Sequence, residues 1–285
     1  MTPSKFLQEA YMLSTLHHYN ILTLRGVGTS QEPLLIVTEY LIHGNLINFF
    51  SSTKKENFSV GLKMIEQVAS GMAYLERVNC IHRRITSRSI LIGDKFHCKI
   101  GSFSLARRLK EGEFEYKIPQ GERVPIKWSA PEVLSENIYS MKSDIWSFGI
   151  LQYEIMSHHT LKMSNSNLIN TEYNLNCPED CQEEHYKLIV QCWSGNPDLR
   201  PSISMFLNLH TAIYSVADVD KLAENKKVDS SLDLNNEELY VDVGSDPRED
   251  NSQKQGPKET PFDEEDPCDD LSAIDEEEIY EKFTF

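Results

Sequence analysis

From residue 217 to the C-terminus the sequence carries 23 acidic and 7 basic side chains, whereas residues 1–216 carry 21 of each sign. This asymmetry restricts where a core can form. A segment so acidic, with acids clustered at Asp263–Asp266 and Asp275–Glu278, cannot bury enough apolar surface to offset its chain entropy. Residues 214–285 therefore read as an acidic disordered tail. The remainder of the 285 residues is charge-neutral and long enough to build a substantial core.

The same charge balance excludes whole classes of partner. The body lacks a basic excess and the tail would repel phosphate, so no nucleic-acid binding is expected. The most apolar stretch, Leu34 to Phe50, is interrupted by Glu39 and His43, so no transmembrane segment is expected either. The opening Met1-Thr2-Pro3-Ser4-Lys5 lacks the apolar run of a signal peptide. Cys80, Cys98, Cys177, Cys181, Cys192 and Cys268 are scattered in the manner of reduced intracellular thiols. Cys177-x3-Cys181-x3-His185, with Cys192 seven residues on, has ligand types that suit zinc. Pro178 and the acids Glu179, Asp180 and Glu183 fit a loop leading into a helix better, and no metal site is expected.

Apolar spacing through Phe6, Leu7, Ala10, Leu13 and Leu16 predicts a helix over 4–18. Two β-rich stretches follow, Ile21–Val27 and Leu34–Tyr40, then a helical period over Phe58–Val78. Ser89–Ile92 and His97–Ile100 read as a hairpin about Gly93-Asp94. Beyond Pro131 the pattern is mostly helical, notably over Ser143–Met156 and His185–Trp193. A small strand-containing part followed by a helical part predicts an α+β architecture.

Several stretches stand in a fixed order. They are Phe6-Leu7-Gln8-Glu9-Ala10, the run Ile81-His82-Arg83-Arg84-Ile85-Thr86-Ser87-Arg88-Ser89-Ile90-Leu91-Ile92, and Lys99-Ile100-Gly101-Ser102-Phe103-Ser104-Leu105-Ala106-Arg107. Val124-Pro125-Ile126-Lys127-Trp128-Ser129-Ala130-Pro131-Glu132, Ser143-Asp144-Ile145-Trp146-Ser147-Phe148-Gly149, Cys192-Trp193 and Arg200-Pro201 complete the series. Together they resemble the protein-kinase signature set, and specifically cytoplasmic tyrosine kinases of the Src type. The tyrosine-kinase resemblance rests on Pro125-Ile126-Lys127-Trp128 and on Arg88, four residues after the family's catalytic aspartate position. It covers about residues 1–213 and implies a kinase-like fold. Residues 1–41 would form a partial small lobe from helix to hinge, and 42–213 the large lobe.

The departures from that pattern concern the chemistry. The resemblance places Arg84 at the catalytic aspartate, Ser89 at the metal-binding asparagine and Ser102 at the D-F-G aspartate. Arginine cannot accept a proton at physiological pH. A serine hydroxyl is a neutral, weaker partner for magnesium than a carboxylate. Loss of a positioned general base alone costs about 10²–10⁴ in rate. The stretch from Met1 to Glu9 holds no Gly-rich phosphate loop and no lysine-bearing strand to pair with Glu9, so the small lobe is expected to be incomplete.

The family's framework positions, by contrast, are kept. Leu13, Leu24, His82 and Phe103 match the apolar column between the lobes. Asp144 matches the anchor of the catalytic loop, and Glu132 with Arg200 an ion pair of the large lobe. Thr38, Glu39, Leu41 and Leu91 fall where the adenine pocket would lie. Tyr116, nine residues before Pro125 and preceded by Glu111, Glu113 and Glu115, matches an activation-loop phosphosite whose phosphate would meet Arg83 or Arg107. In the tail, Tyr240 and Tyr280 each follow two acids and an aliphatic residue, a pattern that suits phosphotyrosine docking.

These features lead to the expectation of a catalytically dead or impaired pseudokinase acting as a cytoplasmic phosphotyrosine scaffold. Its partners would be other tyrosine kinases and phosphotyrosine-binding proteins, with membrane association left to upstream domains. No cofactor is expected. The alternative is an active non-receptor tyrosine kinase whose small lobe lies outside this sequence, and only that alternative requires ATP and Mg2+.

Overall fold

The leading helix, α1 (Pro3–Thr15), turns its apolar spacing inward. Leu7, Ala10 and Leu13 are buried, and Leu16 continues the stripe just past the helix end. The helix stops short of residue 18 because side chains claim the next backbone donors. The His17 N–H donates to the Tyr74 hydroxyl at 2.9 Å, and the Asn20 N–H to His18 Nδ1 at 3.1 Å. The computed structural model describes residues 3–29, 33–52, 58–119, 126–158, 175–179 and 181–214. Of the expected tail, 214–285, Tyr214 instead belongs to the body, buried just past the last helix. Residues 215–285, with Tyr240 and Tyr280, lie outside the described residues, as does Pro125.

The two β-rich stretches form β1 (Leu24–Gly28) and β2 (Leu35–Thr38), an antiparallel ribbon with Leu24 opposite Thr38 and Gly28 opposite Leu35. Among the described residues β1 has no other strand partner, in keeping with an incomplete small lobe. A short helix, α2 (Leu46–Ser52), then leads to α3 (Phe58–Arg77), which buries Leu62, Ile65, Val68, Ala69, Met72 and Leu75 along its length. After β3 (Cys80–Ile81), strands β4 (Ile90–Ile92) and β5 (Cys98–Ile100) pair as the expected hairpin. Its turn is longer than Gly93-Asp94. Gly93 N–H reaches the His97 carbonyl at 2.8 Å, and Lys95 and Phe96 both take positive φ.

Two further ribbons are made of very short strands. β6 (Arg107–Arg108) pairs with β3, and β7 (Glu115–Lys117) pairs with β8 (Ile138–Ser140). Two- and three-residue strands carry no readable periodicity, which is why only the structure shows them. Helix α4 (Pro131–Ser135) precedes β8, and α5 (Met141–Ser157) follows it through a capping box of Ser140 and Ser143. α5 is buried on nearly every face, as befits a central helix, and α6 (Glu183–Cys192) and α7 (Ile203–Ile213) pack around it and α3. The result is the expected α+β arrangement, a two-stranded ribbon and α1 set on a mainly helical body. Among the described residues no helix is long and apolar enough to cross a membrane.

Candidate active site

The loop between β3 and β4 is held from below by the first turn of α5. The buried Asp144 carboxylate accepts the backbone N–H groups of His82 at 2.6 Å and Arg83 at 2.9 Å. Burial pushes its pKa up to about 6, against the opposing pull of those two N–H groups and of the Arg83 charge. Arg83 sits at φ +64°, a strained conformation for a side-chain-bearing residue, and Asp144 is what fixes it there. The Arg84 N–H donates to His82 Nδ1 at 3.2 Å, so the proton of the neutral ring is on Nε2, which donates to the Gly101 carbonyl at 3.0 Å. Full burial lowers the His82 pKa to about 4 and keeps the ring neutral. The Phe103 ring packs edge-on against it, 4.8 Å between centroids. Leu13 is buried in the same core, and Leu24 packs against that core from the edge of β1.

On this framework the three chemistry-bearing positions present a guanidinium and two hydroxyls. Arg84 is half-buried, and its guanidinium has no hydrogen-bond or ion-pair partner among the described residues. Its positive charge reaches Glu9 of α1, whose carboxylate also lies close to the Phe103 backbone. Burial raises the Glu9 pKa despite both influences. Gln8 adds a second tie from α1 to this segment, donating from Nε2 to the Ala106 carbonyl at 3.2 Å. Glu9 thus meets the Arg84 charge and the Phe103 backbone, a partnership that motif reading had no means to find.

Ser89 is turned inward. Its hydroxyl donates to the Thr86 carbonyl at 2.8 Å and accepts the Thr86 N–H at 2.9 Å, and the residue is buried. Ser102 keeps a left-handed backbone, φ 64° and ψ 56°, with a neutral side chain. Magnesium demands near-octahedral hard oxygen ligands, normally with carboxylates to offset its charge. A half-buried guanidinium, one hydroxyl committed within its own loop and one neutral hydroxyl do not fit that ion. Among the described residues no group of three or more His, Cys, Asp or Glu side chains is arranged to hold a metal. Cys192, counted with Cys177 and Cys181 by spacing, is buried against Gln152 Nε2 at 3.6 Å.

The hinge positions are divided between packing and an ion pair. Leu41 is buried, Leu91 and Thr38 are half-buried, and the Leu91 side chain lies beside Gly101. Glu39 turns its carboxylate away to Lys99 Nζ at 2.7 Å, and the same carboxylate accepts the Thr23 N–H at 2.8 Å. Lys99 is itself buried, with a further bond to the Ile21 carbonyl at 3.3 Å. Sequence reading gave Glu39 only a hinge position. Nothing in a single sequence points to Lys99 as its partner, because the two lie on separate elements 60 residues apart.

Tyr116, in the middle of β7, pairs with Tyr139 of β8 and lies between two cations. The Arg107 guanidinium is 4.4 Å and that of Arg83 4.8 Å from its ring centroid, and Arg83 also covers Tyr139 at 4.9 Å. Both arginines foreseen as phosphate partners are thus at the Tyr116 ring. Farther down the body, Arg200 forks onto Glu132 at 2.7 and 2.8 Å, and also donates to the carbonyls of Ser194 and Lys142.

Comparison with known proteins agrees with this framework. The family model of protein tyrosine and serine/threonine kinases matches residues 2–209. The tyrosine-protein kinase SRK3 of the sponge Spongilla lacustris is 37% identical over 217 residues, which cover 73% of this chain and 64% of that protein. The chain thus spans just under two thirds of that relative's length. With the Asp144-anchored loop, the His82–Phe103 contact and the Glu132–Arg200 pair in place, the chain belongs to the protein tyrosine and serine/threonine kinase family, on its tyrosine-kinase side.

Proposed function

We propose that this protein is a tyrosine-kinase-family pseudokinase that works as a phosphotyrosine scaffold. One observation carries the reading. At the position where proton acceptance is required stands Arg84, half-buried, unpaired and facing Glu9, while Ser89 spends its hydroxyl inside the loop. A side chain that is always protonated cannot serve as the base, and its charge repels the cation that phosphoryl transfer needs. The packed framework around these residues explains why the fold persists without the chemistry. The scaffold half of the proposal rests on Tyr116 between Arg83 and Arg107, and on the acidic settings of Tyr240 and Tyr280. Partners of matching chemistry are tyrosine kinases that modify these sites and modules with arginine-lined phosphotyrosine pockets, met in the cytoplasm.

The test uses the full-length protein in two assays. Incubated with ATP, Mg2+ and a Tyr-containing acidic copolymer, it should transfer no phosphate above background. The triple variant Arg84→Asp, Ser89→Asn, Ser102→Asp, fused to a complete small lobe, should regain measurable transfer. Robust activity of the unaltered protein would overturn the pseudokinase reading and establish the active-kinase alternative. Treated with an active Src-type kinase, it should acquire phosphate at Tyr116, Tyr240 or Tyr280 and then bind a phosphotyrosine-recognition module. Failure of all three tyrosines to be modified would remove the scaffold half.

A further inference from the structure

Beyond the kinase-like cleft, two thiols stand together at the entrance to α6. The Cys181 N–H closes a turn onto the Pro178 carbonyl at 2.9 Å, and this turn folds Cys177 back over Cys181. Cys177 Sγ lies 3.4 Å from the Cys181 carbonyl oxygen, and the two thiols lie within electrostatic range of each other. Cys177 is exposed and Cys181 half-buried, whereas Cys80, Cys98 and Cys192 are buried. Among the described residues, then, this pair holds the cysteines that solvent can reach. The surroundings are equally specific. Tyr153, Tyr186 and Tyr214 all lie within electrostatic range of Cys181, the first two of Cys177 as well. Tyr186 fixes the incoming strand of chain by donating its hydroxyl to the Leu175 carbonyl. This position on the fold is remote from Arg84, Ser89 and Ser102 in sequence and plays no part in the proposed loss of catalysis.

We propose that Cys177 and Cys181 form a dithiol modification site that a peroxide converts to an intramolecular disulfide. The exposed Cys177 sulfur attacks one oxygen of the peroxide. An S–O bond forms as the O–O bond breaks, and for hydrogen peroxide the departing hydroxide takes up the thiol proton and leaves as water. The Cys181 sulfur then attacks the Cys177 sulfenic sulfur. The S–S bond forms, the S–O bond breaks, and the hydroxyl leaves as a second water with the Cys181 proton. Two thiols are oxidised by two electrons in all, and one peroxide is reduced. The order of events follows from exposure. Burial and the neighbouring Cys177 push the Cys181 thiol up to about 12, which disfavours its thiolate and leaves the first attack to Cys177. The bond closes a five-residue loop directly ahead of α6, so it tethers the start of the helix that packs against α5.

The full-length protein, reduced and freed of reductant, is treated with a small excess of hydrogen peroxide, then unfolded and alkylated. Free thiols should fall from six to four. The peptide spanning Cys177 and Cys181 should lose two hydrogens in mass, and dithiothreitol should restore it. With Cys181→Ser, the Cys177 sulfenic acid loses its resolving thiol and should become trappable by dimedone. The proposal is overturned if the unaltered protein retains six free thiols at peroxide levels that oxidise free cysteine. It is equally overturned if Cys177 is found as sulfinic acid, or bonded to Cys268 or to another chain, while Cys181 stays alkylatable. The peptide map of the unaltered protein decides the matter even if the serine variant folds poorly.

Discussion

The Asp144 carboxylate accepts the His82 backbone N–H at 2.6 Å, fastening the loop that carries Arg84 to the first turn of the central helix. The bond joins residues 62 apart in sequence, and the companion bond to Arg83 holds a positive-φ residue. Replacing Asp144 with Asn would set an amide NH2 against one of these buried donors. Asp144→Asn should therefore destabilise by about 1–3 kcal/mol, the cost of a buried unsatisfied donor. Urea unfolding monitored by circular dichroism measures this, and an unchanged midpoint would contradict the anchoring role.

The Glu132–Arg200 pair gives a second expectation. The Arg200 side chain is fully buried and that of Glu132 is 12% exposed, so removing one partner strands the other charge away from water. Arg200→Met should cost about 3–5 kcal/mol, with the Ser194 and Lys142 carbonyls also losing a donor. Arg200→Lys should recover only part of this, because an ammonium cannot fork onto both Glu132 oxygens. Chemical denaturation of the three proteins ranks them.

Stability should also fall with acid, for a reason traceable to three buried rings. Burial lowers His82 to about 4, His185 to about 3 and His210 to about 4, and both His185 nitrogens lack any hydrogen-bond partner among the described residues. In each case the folded pKa lies below the unfolded value near 6.5. The unfolded chain therefore takes up protons first, and stability present above pH 6.5 is lost as pH falls toward 4. Asp144 works the other way, its folded pKa of about 6 letting the native state bind a proton between about pH 6 and 4. Near pH 5 the balance is about two protons, or on the order of 3 kcal/mol per pH unit. Urea midpoints at pH 7, 6 and 5 test the slope, and His210→Phe should flatten it.

Gly149 lies where α5 packs against the end of α6. A Cβ there would lie 2.6 Å from Trp193 Nε1 and 2.7 Å from Cys192 Cβ, well inside contact distance. Gly149→Ala should then cost about 1–3 kcal/mol by overpacking, despite the better helix propensity of alanine. A stabilised variant would show that the two helices can separate freely.

Much of this was legible before any coordinates. The 3.6-residue spacing of Leu62, Ile65, Val68, Met72 and Leu75 gave α3 nearly to the residue, since one buried stripe dictates one period. The β4–β5 hairpin followed from two apolar runs parted by Gly93. For Tyr116, motif order offered Arg83 or Arg107 only as partners of a phosphate, and the cation–π contacts of both with the unmodified ring are seen only in the structure. The Glu132–Arg200 pair did follow from motif order. The β3–β6 and β7–β8 ribbons did not, because strands of two or three residues have no period to read. Nor did the histidine pair His185 and His210, whose rings come within 5.8 Å only when α6 and α7 pack.

The sequence by itself determined which residue types stand where the family resemblance places the chemistry: a guanidinium and two hydroxyls, at positions where phosphoryl transfer in the family uses two carboxylates and an amide. Residue identity is fixed covalently, and no folding restores a proton acceptor to Arg84. Only the tertiary structure decided what those groups face. Glu9 lying against the Phe103 backbone and within reach of the Arg84 charge, Glu39 turning to Lys99, and the Ser89 hydroxyl to Thr86 are outcomes of packing, in which buried polar groups take whatever partner the surrounding elements bring within reach.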